Sequence, residues 1–384
     1  MTYIITFGIV LSLSYIYDHS STRQQKLCIG IAIIMILTLI GGLRSIEIGT
    51  DNYNYKYIYD VCRNNDLLTC LQTGYTSQKE TGFILFVWFI SKINESYLTF
   101  TLITSFLTIF FVFEGMKYFA DNYDLSIRVM LGVYLFIYYC CFFNLVRQGM
   151  ALAIVFFAFK YADQKKIVKF IIFVLIASTI QISLLAAIPI YLLFNLNNSR
   201  RIINTKKTNR LLFLLLGIAI ALFIFIGPLF ASNIFNIVSK IPFLPIEKAK
   251  LMEMSSTYAS VSSYSFGTGI FIRAVPHVII IALFYDKIRD QYRNINGLYI
   301  AEWIQIAIML MGSVYEPVTR IAYIYNYSQM ILFSAIEKRY RRTNNKLFIE
   351  LLMFGYCIVY WILFTVLNHY GYDRPVYPYQ FASW

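Results

Sequence analysis

Three arginines stand at the borders of hydrophobic runs, where a permanent cation is costly unless an anion or a polar group meets it. Arg44 closes the run ILTLIGGL, Arg147 divides YYCCFFNLVRQGMALAIVFF, and Arg320 precedes IAYIYNY. One guanidinium can hold two oxygens of an anion at the same time. If all three side chains lie on the same side of a membrane, they form a candidate anion-binding site.

A polar stretch follows the first of these arginines and carries a carboxylate among tyrosines. It reads RSIEIGTDNYNYKYIY, with Asp51 just before Tyr53 and Tyr55 and with further tyrosines at 57 and 59. In an extended chain, these alternating rings would share one face. Tyrosines at a lipid–water boundary often anchor a protein there. The alternative is a sugar-stacking surface beside a base, and the sequence leaves both interpretations open.

Other polar residues lie within or beside the apolar runs. Arg273 and His277 are one helical turn apart in GTGIFIRAVPHVII, so we expect them to share a helix face, with a kink near Pro276. They form either a structural pair inside the bundle or part of a cavity wall where His277 acts as a base. Asn144 lies one helical turn before Arg147, and in a helix both side chains can reach one ligand.

The six cysteines show no metal-ligand spacing. Cys62 and Cys70 share the polar segment after Arg44, where an oxidising compartment would let them form a disulfide, and two free thiols are the alternative. The other cysteines lie in apolar runs and are expected to be packing residues. No metal and no cofactor is predicted, so we expect a metal-independent reaction.

The elements that must position these residues are membrane helices. The 384 residues are 59% hydrophobic and 14% charged, whereas soluble domains carry about 25% charged residues. Long apolar runs recur along the whole chain, which predicts an all-α polytopic membrane protein with a single transmembrane domain over 1–384. The formal net charge of +13 comes mostly from basic loops that set the orientation, so nucleic-acid binding is not expected.

Basic residues concentrate in loops that the positive-inside rule places in the cytoplasm. These loops are 23–26, 160–169, 200–210, 287–293 and 338–346. The arrangement predicts about 12 transmembrane helices with both termini outside. It leaves outward loops at 44–80 and 231–267 and an outward tail at 368–384. All three arginines then face outward.

Two apolar segments do not fit a simple span. The run 167–194 is interrupted by polar residues around Gln181, and we expect two short helices that form a hairpin. Residues 81–93 are too few for a full span, and we expect a re-entrant or interfacial helix there. If 81–93 crossed the membrane instead, 167–194 would be one long tilted span and Arg147 would face the cytoplasm.

Fragments spread in order along the chain resemble the EpsG family of polysaccharide-polymerising membrane proteins, which is related to the Wzy O-antigen polymerases. The matching fragments are GLRSIEIGTDNYNY at 42–55, ETGF at 80–83, NLVRQGMALAI at 144–154, KKIVKFIIFVLIAS at 165–178, TRIAYIYNY at 319–327 and PVYPYQF at 375–381. One departure concerns a histidine that the family usually has after the KK-led run. Gln181 stands in its place, and this side chain can hydrogen-bond but does not titrate near neutral pH.

The resemblance implies that the protein joins oligosaccharide repeat units carried on undecaprenyl pyrophosphate at the outer face of the bacterial inner membrane. Arg44, Arg147 and Arg320 would hold the pyrophosphate leaving group. Asp51, or in second place His277, would take the proton of the acceptor hydroxyl, and Glu47 and Glu80 are weaker candidates for this role. Sugar contacts or polar support would come from Tyr53, Tyr55, Asn144, Gln181, Arg273 and Tyr323. The implied partners are the lipid-linked oligosaccharide, membrane lipid, and a flippase and a chain-length regulator of the same pathway.

Two other functions stay open on the sequence alone. A transporter or flippase of lipid-linked glycans would use the same arginines for binding without chemistry. Such proteins often carry interrupted helices in paired positions, and 167–194 has no evident counterpart. A membrane acyltransferase that modifies sugars needs a reactive histidine, for which Arg273 and His277 are the candidate pair.

Overall fold

The structure is a computed structural model that describes residues 1–72, 74–77, 79–196, 268–289, 294–312, 316–367 and 375–382. The described residues form an all-helical protein, in agreement with the predicted class. The predicted outward loop 231–267 lies outside the described residues.

The helices follow the apolar runs of the sequence. They are α1 (Thr2–His19), α2 (Arg23–Gly42), α3 (Asn52–Asn64), α4 (Leu67–Gln72), α5 (Gly74–Ser77), α6 (Thr81–Ile93), α7 (Tyr97–Tyr123), α8 (Ile127–Val133), α9 (Val146–Asp163), α10 (Ile167–Ile180), α11 (Ile188–Asn195), α12 (Thr268–Ala274), α13 (Pro276–Ile288), α14 (Ile295–Gly312), α15 (Glu316–Asn326), α16 (Ser328–Tyr340) and α17 (Lys346–Trp361). A π-helical segment, Tyr134–Tyr139, and a 3₁₀ turn, Cys141–Phe143, extend α8. A 3₁₀ segment, Ile182–Ala187, precedes α11, and a π-helical segment, Ile362–Val366, extends α17.

Among the described residues, three helical stretches are long and apolar enough to cross a membrane, namely Arg23–Gly42, Tyr97–Tyr123 and Lys346–Val366. Capping side chains mark where helices begin. The Ser96 hydroxyl accepts the Leu98 N–H at 3.3 Å, and the Ser126 hydroxyl accepts the Val129 N–H at 3.2 Å. Several other apolar helices are shorter than a full span, so length and composition support a membrane protein without counting its crossings.

One end of the bundle is covered by the C-terminal residues 375–382. The Tyr3 hydroxyl at the start of α1 donates to the Val376 carbonyl at 2.9 Å. The Ser45 N–H, just after α2, donates to the Gln380 carbonyl at 2.9 Å. The start of α1, the end of α2 and the C-terminal residues therefore lie together, and we call this region the tail end.

The opposite end carries two of the basic loops, and we call it the basic end. At the end of α9, the Asp163 carboxylate accepts hydrogen bonds from the hydroxyls of Tyr118 (2.5 Å) and Tyr123 (2.6 Å) near the end of α7. Arg341, just after α16, lies 3.3 Å from the Asp124 carboxylate. Because α7 and α9 both finish here, both begin at the tail end.

Helix α6 begins and ends at the tail end. Glu80, directly before it, contacts the start of α9. At its other end, the Asn94 carbonyl accepts the Tyr59 hydroxyl of α3 at 2.5 Å. Helix α7 then starts at the same end, where the Tyr97 hydroxyl donates to the Asn52 carbonyl at 3.3 Å. This is the geometry expected of a re-entrant or interfacial helix and does not support the alternative in which 81–93 crosses the membrane.

The apolar run 167–194 is divided into two arms, as predicted. Helix α10 ends at Ile180, and the Ile182 N–H, directly after the break, donates to Glu80 at the tail end at 3.1 Å. The returning arm reaches the basic end, where the Asn195 amide donates to the Ala162 carbonyl at 3.2 Å. The hairpin therefore places its break beside the start of α9.

Candidate active site

Arg44 is built into the protein at the tail end. Its side chain is only 3% exposed, and its guanidinium donates to the Gly41 carbonyl and to the Asn52 side-chain oxygen (3.3 Å). The Phe143 ring lies beneath it, 4.8 Å from ring centroid to guanidinium carbon. The Arg44 main chain also pairs with that of Phe381 in the C-terminal tail. These contacts hold the end of α2, the start of α3 and the tail together, while Nε of Arg44 has no hydrogen-bond partner in the described protein.

The loop after Arg44 passes over the residues that precede α9. Gly49 has φ of +94°, a conformation that favours glycine. A Cβ at this position would lie 2.6 Å from the Asn144 side-chain oxygen and 3.0 Å from the Phe143 carbonyl. Asn144 is 1% exposed, and neither its amide nitrogen nor its side-chain oxygen has a hydrogen-bond partner in the described protein. A buried amide of this kind carries free bonding capacity for a ligand or a water molecule.

The tyrosines after Asp51 lie on a helix, so the extended arrangement that would place them on one face is wrong. Helix α3 begins at Asn52, with Asp51 as its N-cap, and the helical period separates the rings. Tyr55 and Tyr59 are buried, whereas Tyr53 is 40% exposed and donates to the Glu47 carboxylate. The Asp51 side chain makes no capping hydrogen bond and is partly exposed, so its carboxylate is not used to start the helix.

Arg147 and Glu80 form an ion pair at the point where three helical segments meet. The guanidinium of Arg147, 14% exposed, donates to one carboxylate oxygen of Glu80, which is 19% exposed. The other carboxylate oxygen accepts the Ile182 N–H after α10. The Phe83 ring of α6 lies 5.4 Å from the guanidinium carbon. Glu80 therefore links the starts of α6 and α9 to the break of the hairpin.

Tyr55 connects this ion pair to Asp51. The charges of Arg147 and Asp51 both act on its hydroxyl, with opposite effects on its pKa. Burial raises the pKa of the Tyr55 hydroxyl, and Arg147 opposes this rise only in part. The N-cap of α9, Leu145, offers no side-chain cap, so the positive end of an 18-residue helix lies beside Arg147 without a capping side chain.

Close packing fixes α6 against the hairpin. A Cβ on Gly82 would lie 2.7 Å from the Thr179 carbonyl near the end of α10. Gln181 follows as the C-cap of α10, with its N–H bonded to the Ala177 carbonyl at 3.0 Å. Gln181 is buried and directly precedes Ile182, whose N–H donates to Glu80. The structure therefore brings Gln181 to the same corner as Arg147.

Arg320 is joined to this corner through α9. Its carbonyl accepts the side-chain amide of Gln148 at 2.7 Å, and Gln148 directly follows Arg147. The Arg320 side chain is half-buried. Tyr323, one turn further along α15, is buried against the ring of Phe142 and lies 3.6 Å from the Cys141 sulfur. Tyr323 therefore supports the chain that leads into α9.

His277 lies in a separate, fully buried polar network. One ring nitrogen is 3.0 Å from a Glu302 carboxylate oxygen, and the other is 3.2 Å from the Tyr356 hydroxyl. The second Glu302 oxygen accepts the Ser328 hydroxyl at 2.7 Å. Both His277 and Glu302 are 0% exposed, and both ring nitrogens of His277 are engaged. This network crosslinks α13, α14, α16 and α17.

Arg273 and His277 lie on separate helices, so the expectation of one shared helix face is wrong. Helix α12 ends at Ala274, and α13 begins at Pro276, in agreement with the predicted interruption near this proline. The Arg273 guanidinium lies 4.4 Å from the centroid of the Phe364 ring. His277 contacts Glu302 and Tyr356 instead.

Two glutamates have closer ties to the candidate residues in the structure than the sequence indicated. Glu80 belongs to the quoted fragment ETGF, and its charge directly before an apolar helix was the available signal. Glu302 was missed, although it is an isolated acid within the apolar segment LYIAEWIQIAIML. A buried acid in such a segment requires a partner, and this signal singles out Glu302 without naming that partner.

Cys62 and Cys70 are buried as free thiols, and the Cys70 thiol donates to the Val61 carbonyl at 3.9 Å. Burial and the neighbouring Cys70 raise the pKa of the Cys62 thiol to about 12. The disulfide stays a prediction. Among the described residues, no cluster of three or more histidines, cysteines, aspartates or glutamates could hold a metal ion.

The fold and its polar tail end define an apolar, helical membrane protein with an Arg147–Glu80 ion pair at one end. The EpsG family model matches residues 26–381, nearly the whole chain, and this range contains all of the quoted fragments. The protein therefore belongs to the EpsG family, a Wzy-type polymerase family. At a coarse level, membership makes it a glycosyltransferase-like polymerase of polysaccharide biosynthesis. No curated protein and no solved structure matches the chain.

Proposed function

We propose that this protein polymerises lipid-linked oligosaccharide repeat units of an O antigen or a similar surface polysaccharide. The donor glycan is transferred from undecaprenyl pyrophosphate to a hydroxyl of an acceptor sugar. The observation that carries this proposal is the corner formed by Arg147, Glu80, Tyr55 and the uncapped start of α9, with Asp51 beside it. This corner offers positive charge for a departing diphosphate next to a carboxylate that can accept a proton.

Within the proposal, the diphosphate binds at the start of α9. Arg147 supplies a planar fork of donors, and the helix N-terminus supplies main-chain N–H groups and positive potential. Asn144, buried and without a hydrogen-bond partner, adds amide capacity directly before the helix. Arg320 adds a second cation from α15. We assign Arg44 to structure, because it is 3% exposed and both terminal nitrogens of its guanidinium already donate, to the Gly41 carbonyl and to Asn52.

The acceptor sugar approaches over α3 in this proposal. Tyr53 offers an exposed ring for stacking, and Asp51 accepts the hydroxyl proton as that oxygen attacks the donor. Asp51 is preferred to His277 because it is partly exposed and lies one helical turn before Tyr55, on whose hydroxyl Arg147 also acts. His277 is buried, with both ring nitrogens engaged, and we assign it with Arg273 to support of the helix bundle.

The proposed orientation places the tail end at the outer face of the bacterial inner membrane. The basic loops 160–169 and 338–346 lie at the opposite end, as the positive-inside rule requires for a cytoplasmic face. Counting the apolar run 211–230, which lies outside the described residues, the chain makes about 12 crossings. A flippase that supplies the donor and a regulator of chain length are the proposed partners.

Glycan analysis of a deletion strain tests the function. A polymerase deletion leaves surface glycans capped at one repeat unit, and a plasmid copy of the gene restores long chains. Loss of all surface glycan, with lipid-linked units accumulating inside the cell, would identify a flippase instead. Full-length glycan that lacks an acyl substituent would identify an acyltransferase.

A further inference from the structure

Glu80 is bonded to Arg147, the cation that the diphosphate of the donor needs. Its carboxylate is bonded to the Arg147 guanidinium, and both side chains are largely buried. A guanidinium donates to carboxylate oxygens and to phosphate oxygens alike, and here one oxygen of Glu80 accepts from Arg147. In the described structure, the position that a phosphate would take on Arg147 is therefore already held by an anion from the protein itself.

Charge makes the two anions mutually exclusive at this position. With Glu80 in place, the positive charge of Arg147 is neutralised, and a diphosphate beside it would face a carboxylate at close range. Like charges brought together in a partly buried site repel strongly. A diphosphate gains the full attraction of Arg147 only when Glu80 moves away from it.

We propose that Glu80 is an internal counter-anion that the diphosphate of the lipid-linked substrate displaces from Arg147, and that returns to Arg147 to expel undecaprenyl pyrophosphate after transfer. This inference rests on the proposed function. It makes Glu80 a positioning residue that sets the affinity for donor and product, while Asp51 deals with the proton.

The second bond of Glu80 extends the exchange to the hairpin. One carboxylate oxygen holds the Ile182 N–H, directly after the break between α10 and the 3₁₀ segment. When Glu80 leaves Arg147, the tie between the start of α9 and this break is released. Occupation of the diphosphate site is thereby coupled to the position of the hairpin arms.

The test compares Glu80→Gln with wild type in purified, detergent-solubilised full-length protein. Glutamine keeps the size of the side chain and can still accept from Ile182, but it removes the competing negative charge. We expect the variant to bind undecaprenyl pyrophosphate about tenfold more tightly or better, by microscale thermophoresis. In polymerisation assays, both KM for the donor and kcat should fall, because product leaves slowly. Glu95→Gln removes an exposed carboxylate just after α6, outside this corner, and should leave the affinity unchanged.

Other outcomes would overturn the inference. A purely structural Glu80 predicts a less stable variant with weaker binding, and a proton-accepting Glu80 predicts a lower kcat with unchanged KM and an altered pH profile. If Glu80→Gln does not fold, a structure of the wild type with bound undecaprenyl pyrophosphate tests the inference instead. Glu80 should then be separated from Arg147, and an intact ion pair beside the bound diphosphate would overturn the inference. Wild type that shows no saturable binding of undecaprenyl pyrophosphate would count against the proposed function itself. Normal wild-type binding with no change in the variant would count against the role of Glu80 alone.

Discussion

Replacement of Arg147 by lysine tests whether the site needs a planar guanidinium or only a positive charge. The Arg147 guanidinium contacts the Glu80 carboxylate and packs beside Phe83, and its charge acts on the Tyr55 hydroxyl. Lysine keeps the charge but offers a compact ammonium that cannot form the bidentate contact. We expect Arg147→Lys to lower the polymerisation rate at normal protein levels. Loss of one charged contact to the leaving group costs about 2–4 kcal/mol in the transition state, or roughly 30- to 1,000-fold in rate.

Arg44→Lys is the matched control, because Arg44 is also a tail-end arginine but is enclosed by the protein. Its loss removes buried hydrogen bonds from a charged group, each worth about 1.5–3 kcal/mol of stability. We expect this variant to have a lower melting temperature and a lower protein level. Its activity per folded molecule should stay near that of the wild type.

The assay uses purified protein with undecaprenyl-pyrophosphate-linked repeat units and resolves chain length by gel electrophoresis. Fluorescence-detected size exclusion gives the folded amount for normalisation. Near-normal long chains from Arg147→Lys would refute the guanidinium requirement. A well-folded but inactive Arg44→Lys would refute the division of roles and return Arg44 to the diphosphate site.

Three further predictions address the base, the cysteines and the orientation. Asp51→Asn should lower the polymerisation rate about 100-fold, because asparagine cannot accept the proton of the acceptor hydroxyl. Folding should stay normal, because the Asp51 side chain makes no capping bond. Long chains from this variant would show that another group accepts the proton. Mass spectrometry of non-reduced peptides should detect a Cys62–Cys70 disulfide in oxidised membranes, and two alkylated thiols would show that it is absent. The protein is alkylated after denaturation, because the high pKa of Cys62 slows the reaction of its thiol in the folded protein. In a cysteine-free background, Glu95→Cys should react with an impermeant thiol reagent added to the periplasm, and Thr343→Cys only after the membrane is permeabilised; the reverse pattern would invert the proposed orientation.

The sequence by itself determined the class of the protein, an all-helical membrane protein built from recurring apolar runs. Apolar runs of helical length in a chain with few charges leave little choice, because a lipid environment requires the backbone to satisfy its own hydrogen bonds. The break near Gln181 was visible for the same reason, since a polar cluster interrupts an apolar run there. The ordered fragments were enough to indicate the EpsG family, which the match over 26–381 confirmed.

Only the tertiary structure decided what the polar residues contact. Arg44 and Arg147 look alike in the sequence, because each lies at the border of an apolar run. Arg44 is buried against Asn52, Phe143 and the Gly41 carbonyl, whereas Arg147 meets the Glu80 carboxylate nearer the surface. Such partners come from distant parts of the chain, and helix packing brings them together. Local patterns carry no record of that packing, so they could neither pair Glu80 with Arg147 nor find Glu302 beside His277.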